Sequence, residues 1–234
     1  MRSTPPAAHT VSHRSGFSLV ELLTVIAIIS VIMTVATVGI GGLLGGKGVS
    51  TAVSTSEAVF AEARSLALSK RTNAAVMVSV QDYKNADTYL RRLVVAYKEL
   101  DATTNQQSKN WTLSSRGVTL PSKVYYSEAL SKKNHKISSG TMDKVMLSGT
   151  NIKRDYQGEY FVYEFNAEGI CTTPGASFVV GTGARNTGGT ERRPRVIGSS
   201  KRDFGGFVIW RNGSTSLFRN PSQILKGDTN LTHF

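Results

Sequence analysis

The chain carries one cysteine, Cys171, in 234 residues. A single thiol forms no intrachain disulfide, so the fold has no covalent staple and must rest on a buried core. The flanking "EGICTTPG" reads as a strand end and turn, with Cys171 as a small, half-buried hydrophobe. Acid is scarce too: 16 Asp and Glu stand against 28 Lys and Arg, a formal charge of +12 at pH 7. That balance fits either a solvated basic surface or an anionic partner such as nucleic acid or a membrane. Histidine is sparse, and none of His9, His13, His135 and His233 has metal-ligand spacing to another His or Cys. With no serine elbow and no paired-carboxylate motif either, the sequence offers no enzyme, no cofactor and no metal site.

Against these absences stands one long apolar run. From Leu22 to Gly46 no residue is charged, which as a helix would extend about 37 Å against a hydrocarbon core of about 30 Å. The length predicts a transmembrane helix and exceeds the apolar core of a secretory signal peptide. Ahead of it, "MRSTPPAAHTVSHRSG" holds Arg2 and Arg14 and no acid. Pro5 and Pro6 disfavour regular helix there. A basic leader before a span predicts a cytoplasmic N-terminus, with the remainder on the other side of an inner membrane.

Gly16-Phe17-Ser18-Leu19-Val20-Glu21, running into a β-branched and leucine-rich helix, resembles the prepilin-type cleavage and methylation motif of type IV pilins and type II secretion pseudopilins. The resemblance covers about residues 14–45. It implies cutting after Gly16 by a prepilin peptidase and methylation of the new amino terminus on Phe17. Glycine before the cut suits an extended backbone in a narrow active site. Glu21 then falls at mature position five. A carboxylate in a bilayer is costly unless partnered, and the resemblance implies that its partner is the terminal amine of a neighbouring subunit. The plainer alternative is a single-pass anchor with Glu21 solvated at the interface. One departure from the major-pilin pattern is Val38, where many such proteins have proline.

The stretch "GIGGLLGGKG" (39–48) predicts a bend or partial melting, because each glycine costs a helix about 1 kcal/mol relative to alanine. It nearly spells a P-loop, but Gly48 stands where Ser or Thr would bind Mg²⁺, and no strand precedes it. "GTGARNTGG" (181–189) likewise lacks the lysine and hydroxyl of a phosphate loop.

Beyond it, Val49, Val53, Val59, Phe60, Ala63, Leu66 and Ala67 recur near helical spacing, predicting an amphipathic helix to Arg71. Strand patterns follow. "NAAVMVSV" (73–80) and "TYLRRLVVAY" (88–97) predict an antiparallel pair, and 117–121 and 142–149 predict short strands. "GEYFVYEFNAEG" (158–169) predicts a strand and turn, with "ASFVVGTG" (176–183) as its antiparallel partner. "GFVIWRNGSTSLFR" (206–219) predicts a hairpin closed by a type I′ turn at Asn212-Gly213. The fold class expected is α+β and pilin-like: a long N-terminal helix, transmembrane then amphipathic, packed on an antiparallel β-sheet or sandwich. The expected divisions are a leader (1–16), a transmembrane assembly helix (17–46), an amphipathic helix (47–72) and a periplasmic β-rich domain (73–234). Phe165-Asn166-Ala167-Glu168-Gly169 and the terminal hairpin resemble minor pseudopilins of the GspH type.

The segment "ARNTGGTERRPRVIGSSKR" (184–202) sets Arg185, Arg192, Arg193, Arg195, Lys201 and Arg202 against Glu191 alone. It reads as a long solvated loop or as an anion-binding patch. Phe204, Phe207 and Trp210 nearby suit base stacking or, more simply, strand packing. The function expected is a pseudopilin or minor pilin in a periplasmic pilus-like filament for protein secretion. Its implied partners are prepilin peptidase, other pilin or pseudopilin subunits and the inner membrane. The alternative is a minor pilin that binds DNA or a surface, with nucleic acid as partner.

Overall fold

A computed structural model describes residues 19–81, 84–85, 87–101, 103–104, 106–186, 193–196, 203–218, 223–224 and 231–234, with backbone alone for 31–47. The expected leader, with Gly16 and Phe17, lies outside the described residues. One helix, α1, spans Leu19–Lys70. Among the described residues thirteen strands follow: β1 Ala74–Ser79, β2 Arg92–Leu100, β3 Gln107–Leu113, β4 Val118–Thr119, β5 Val124–Tyr126, β6 Lys132–Asn134, β7 Ser139–Thr141, β8 Lys144–Leu147, β9 Gly158–Phe165, β10 Ala176–Ala184, β11 Arg195–Val196, β12 Phe204–Ile209 and β13 Thr215–Leu217. A 3₁₀ turn at Arg154–Tyr156 precedes β9.

The chain divides into two compact units, Met1–Gly41 and Gly42–Phe234. In the first, Leu19, Val20, Leu22, Leu23, Val25, Ile26, Ile28 and Ile29 are all exposed. Two expectations are corrected along this helix. Residues 39–48 stay α-helical in backbone and do not melt; extending a formed helix is far easier than nucleating one, which offsets the glycine penalty. The expected transmembrane helix is the second: among the described residues, no helix is long and apolar enough to cross a membrane. Farther along, Val49, Ala52, Val53, Val59, Phe60, Ala63 and Ala67 are buried in the core of the second unit. This overturns the membrane assignment, and with it the single-pass topology with a cytoplasmic N-terminus and a periplasmic domain.

In the second unit, α1 packs on a curled pair of antiparallel sheets, a pilin-like arrangement. The first sheet has the order β3-β2-β1-β9-β8, with β4 added on β2. The second has the order β11-β10-β12-β13, with β5 added on β10, and β6 and β7 form a separate pair. Val49, Ala52, Val53, Val59, Phe60, Ala63 and Ala67 are buried along one stripe of α1, as 3.6-residue periodicity requires. They meet Val76 and Val78 of β1, Phe161, Tyr163 and Phe165 of β9, and Phe178 and Phe207 of the second sheet. Phe60 is the hub: it meets the rings of Tyr163, Phe178 and Phe207 edge-on at centroid distances of 5.1, 5.4 and 5.1 Å.

Every residue of β1 is buried. Its alternate side chains explain this, since successive residues face opposite sides of a sheet. Val76 and Val78 face the main core, while Ala75 and Met77 join Trp111, Leu147, Ile152 and Tyr160 in a second cluster on the other face. The expected β1–β2 pair forms, with Ala74 opposite Tyr97 and Val76 opposite Val95.

The expected pairing of 158–169 with 176–183 does not form. β9 has its two edges taken by β1 and β8. After the turn at Asn166–Gly169 the chain lies beside β9 only briefly, with Thr172 N donating to Glu164 O at 3.0 Å and Phe165 bridging Cys171. β10 then pairs instead with β12 and β5 in the other sheet. The late hairpin does form as β12–β13, but its turn is not type I′. Gly213 has φ +76° and Asn212 is not at positive φ. Gly213 N donates to Trp210 O and Trp210 N to Ser214 O, each at 2.9 Å, closing a three-residue loop with glycine in the left-handed position. Space favours glycine there as well, because an added Cβ would lie 2.8 Å from the backbone oxygen of Gly169.

Candidate functional site

Glu21 lies in the first turn of α1 and is exposed. There the helix leaves N–H groups without intrahelical partners, and a negative side chain is favoured by the helix dipole. Thr24 Oγ1 donates to Glu21 O at 2.9 Å, and Ser30 Oγ to Ile26 O at 2.8 Å, so these hydroxyls are satisfied within the helix. Glu21 is thus a carboxylate beside a row of bare aliphatic side chains: Leu19 is 79% exposed and Ile28 59%. An aliphatic face this open gains about 25 cal/mol for each Å² that a partner covers. Gly16 and Phe17 lie outside the described residues, so the geometry of the expected cleavage point is not on view.

The basic segment is only partly described. Arg192, Lys201 and Arg202 lie outside the described residues. Arg185 is exposed and donates through Nη2 to the carbonyl of Lys84. Arg193 is half-buried, and Arg195 is exposed on β11. The register sets Arg195 opposite Ala184, the residue before Arg185, so these two arginines come from adjacent strand ends. Arg195 also bridges to His233, and Phe234 N donates to Pro194 O at 3.0 Å. Segment 193–196 is therefore held between β10 and residues 232–234. The buried rings of Phe204 and Phe207 pack in the core; Trp210 is exposed, its Nε1 donating to Ser216 Oγ at 2.7 Å.

Cys171 is buried, and burial pushes its thiol above the usual range. It is a poor nucleophile there, since the thiolate is the reactive form. No group of His, Cys, Asp and Glu among the described residues could hold a metal ion.

A polar seam joining the two sheets was not read from the sequence. Tyr163 OH of β9 donates to Ser177 O of β10 at 2.8 Å, and Tyr126 OH of β5 lies 2.9 Å from Tyr163 OH. With its proton given to Ser177, Tyr163 accepts from Tyr126. Nearby, Val179 N donates to Ser131 Oγ at 3.0 Å. Burial pushes both phenols well above their ordinary value. Sequence carries no signal for such a seam, because it depends on which two sheets face one another.

Residues 11–37 match the family model described as the prokaryotic N-terminal methylation motif. No curated protein and no solved structure matches the chain. A methylation motif characteristic of type IV pilin-like proteins is thus present at the N-terminal end, and the matched residues include Gly16, Phe17 and Glu21.

Proposed function

We propose that this chain is a pilin-like structural subunit, made as a precursor, cut after Gly16 by a prepilin peptidase and methylated on Phe17. The observation that carries this reading is the methylation-motif match over residues 11–37. The exposed aliphatic helix that follows supports assembly: covered by like helices, it becomes the core of a filament. Glu21 pairs with the terminal amine of a neighbour and sets the register of one subunit against the next. An unpaired carboxylate buried among aliphatic side chains would be strongly disfavoured, so the pairing also selects against misaligned subunits. The resulting filament serves protein secretion, and the pattern Phe165 to Gly169 with the late hairpin supports a minor pseudopilin of the GspH type.

Co-expression with a prepilin peptidase and intact-mass measurement test the processing. The expected product begins at a methylated Phe17; a start at any other residue overturns it. In the same cells Glu21→Val should leave cutting intact and reduce recovery in filaments. Undiminished recovery would remove the role given to Glu21.

A second reading, capture of DNA, is favoured by the +12 charge and by the adjacent Arg185 and Arg195. It requires binding that weakens steeply with salt, since phosphate contacts release counterions. Binding unaffected by neutralising Arg192, Arg193 and Arg195 would count against that loop.

A further inference from the structure

At the end of β1 the chain leaves a polar hollow of about 380 Å³, in the size range of small-molecule sites. Ser79, Gln81, Asn85 and Thr88 line it together with Arg92 of β2 and the turn residues Arg154 and Asp155. Its framework is stiff. Leu90 N donates to Ser79 O at 2.8 Å, and Arg92 N to Thr88 O at 3.0 Å. Arg92 is fixed twice more: Nη1 donates to Asp155 O at 2.8 Å, and the guanidinium lies over the Tyr156 ring at 4.7 Å. A guanidinium has five N–H donors in a rigid fork, so a plane held in this way retains donors for a ligand. The ion pairs seen among the described residues involve Arg91, Lys98, Lys133 and Lys144, not Arg92 or Arg154.

We infer that this hollow binds an acidic saccharide, a hydroxylated ring bearing a carboxylate or phosphate. The two guanidinia supply the charge-assisted, bidentate recognition that such an acid requires. Asp155 decides between a bare anion and a sugar. Its carboxylate repels an inorganic anion in the same hollow but accepts hydrogen bonds from hydroxyl groups. The amides of Gln81 and Asn85 and the hydroxyls of Ser79 and Thr88 are donors and acceptors of the same kind. A ring with its acid toward the arginines and its hydroxyls toward Asp155 and the amides satisfies every part of this lining. The site is independent of the filament reading and of the basic segment 184–202.

Calorimetric titration of the full chain with glucose 6-phosphate, glucuronate, glucose and inorganic phosphate tests it. Both acidic sugars should give saturable binding, with glucose and inorganic phosphate weaker by about tenfold or more. Arg154→Gln, at an exposed position, should weaken the acidic sugars by about tenfold with the melting temperature unchanged. Asp155→Asn should narrow the gap between glucose 6-phosphate and inorganic phosphate. The inference is overturned if neither acidic sugar binds, if glucose or inorganic phosphate binds as tightly, or if Arg154→Gln leaves affinity unaltered.

Discussion

Truncating Phe60 should come close to unfolding the second unit. The side chain is 1% exposed and touches rings from both sheets. Phe→Ala in a core costs about 3–5 kcal/mol, from lost transfer energy and the cavity left behind. A position held from two sheets has little freedom to collapse, which places Phe60→Ala toward the upper end. A domain with the usual stability of about 5–15 kcal/mol loses much of its margin. Phe60→Leu separates the two contributions. It keeps most of the buried aliphatic volume and loses the edge-on ring pairs, each worth about 0.5–1.5 kcal/mol, so its cost should be roughly half that of Phe60→Ala. Urea unfolding followed by tyrosine and tryptophan fluorescence measures both, and a double-mutant cycle with Phe207→Leu isolates one ring pair. A loss below about 1 kcal/mol for Phe60→Ala, or strict additivity with Phe207→Leu, would refute the claim that α1 is docked through this residue.

The remaining predictions concern pH and backbone space. Burial raises the Tyr126 and Tyr163 phenols above their ordinary value of 10.0, so above pH 10 the unfolded chain sheds phenolic protons that the folded chain keeps. Stability is therefore full below that pH and falls as pH climbs further; melting at pH 9 and pH 11 should show this, with a smaller drop in the Tyr126→Phe, Tyr163→Phe double variant. Gly206→Ala should destabilise strongly, since an added Cβ would lie 2.1 Å from Phe178 O across the β10–β12 ladder; an unchanged urea midpoint would show that the two strands part freely.

The N-terminal motif was legible because it is a local chemical pattern. Gly16, Phe17 and Glu21 lie within six consecutive residues, so their spacing carries the signal without a fold, and the same holds for the amphipathic stripe at Val49, Val53, Phe60 and Ala63. Neighbouring strands joined by short connections, such as β1 with β2, were legible for the same reason. Other features depended on competition between distant segments. β9 lost β10 as a partner because β1 and β8 hold its edges. The apolar run was read as a span, yet no described helix is long and apolar enough to cross a membrane. The Asn212-Gly213 turn was placed correctly but given the wrong form, since the hydrogen bonds that close it, Gly213 N to Trp210 O and Trp210 N to Ser214 O, make a three-residue loop. The Tyr126–Tyr163–Ser177 seam and the Arg92–Arg154 hollow join residues from different strands and turns. Sequence determined what each short segment prefers, through side-chain period and φ freedom. Tertiary structure decided which segments meet, because a strand edge or a buried donor takes only the partner that packing brings to it.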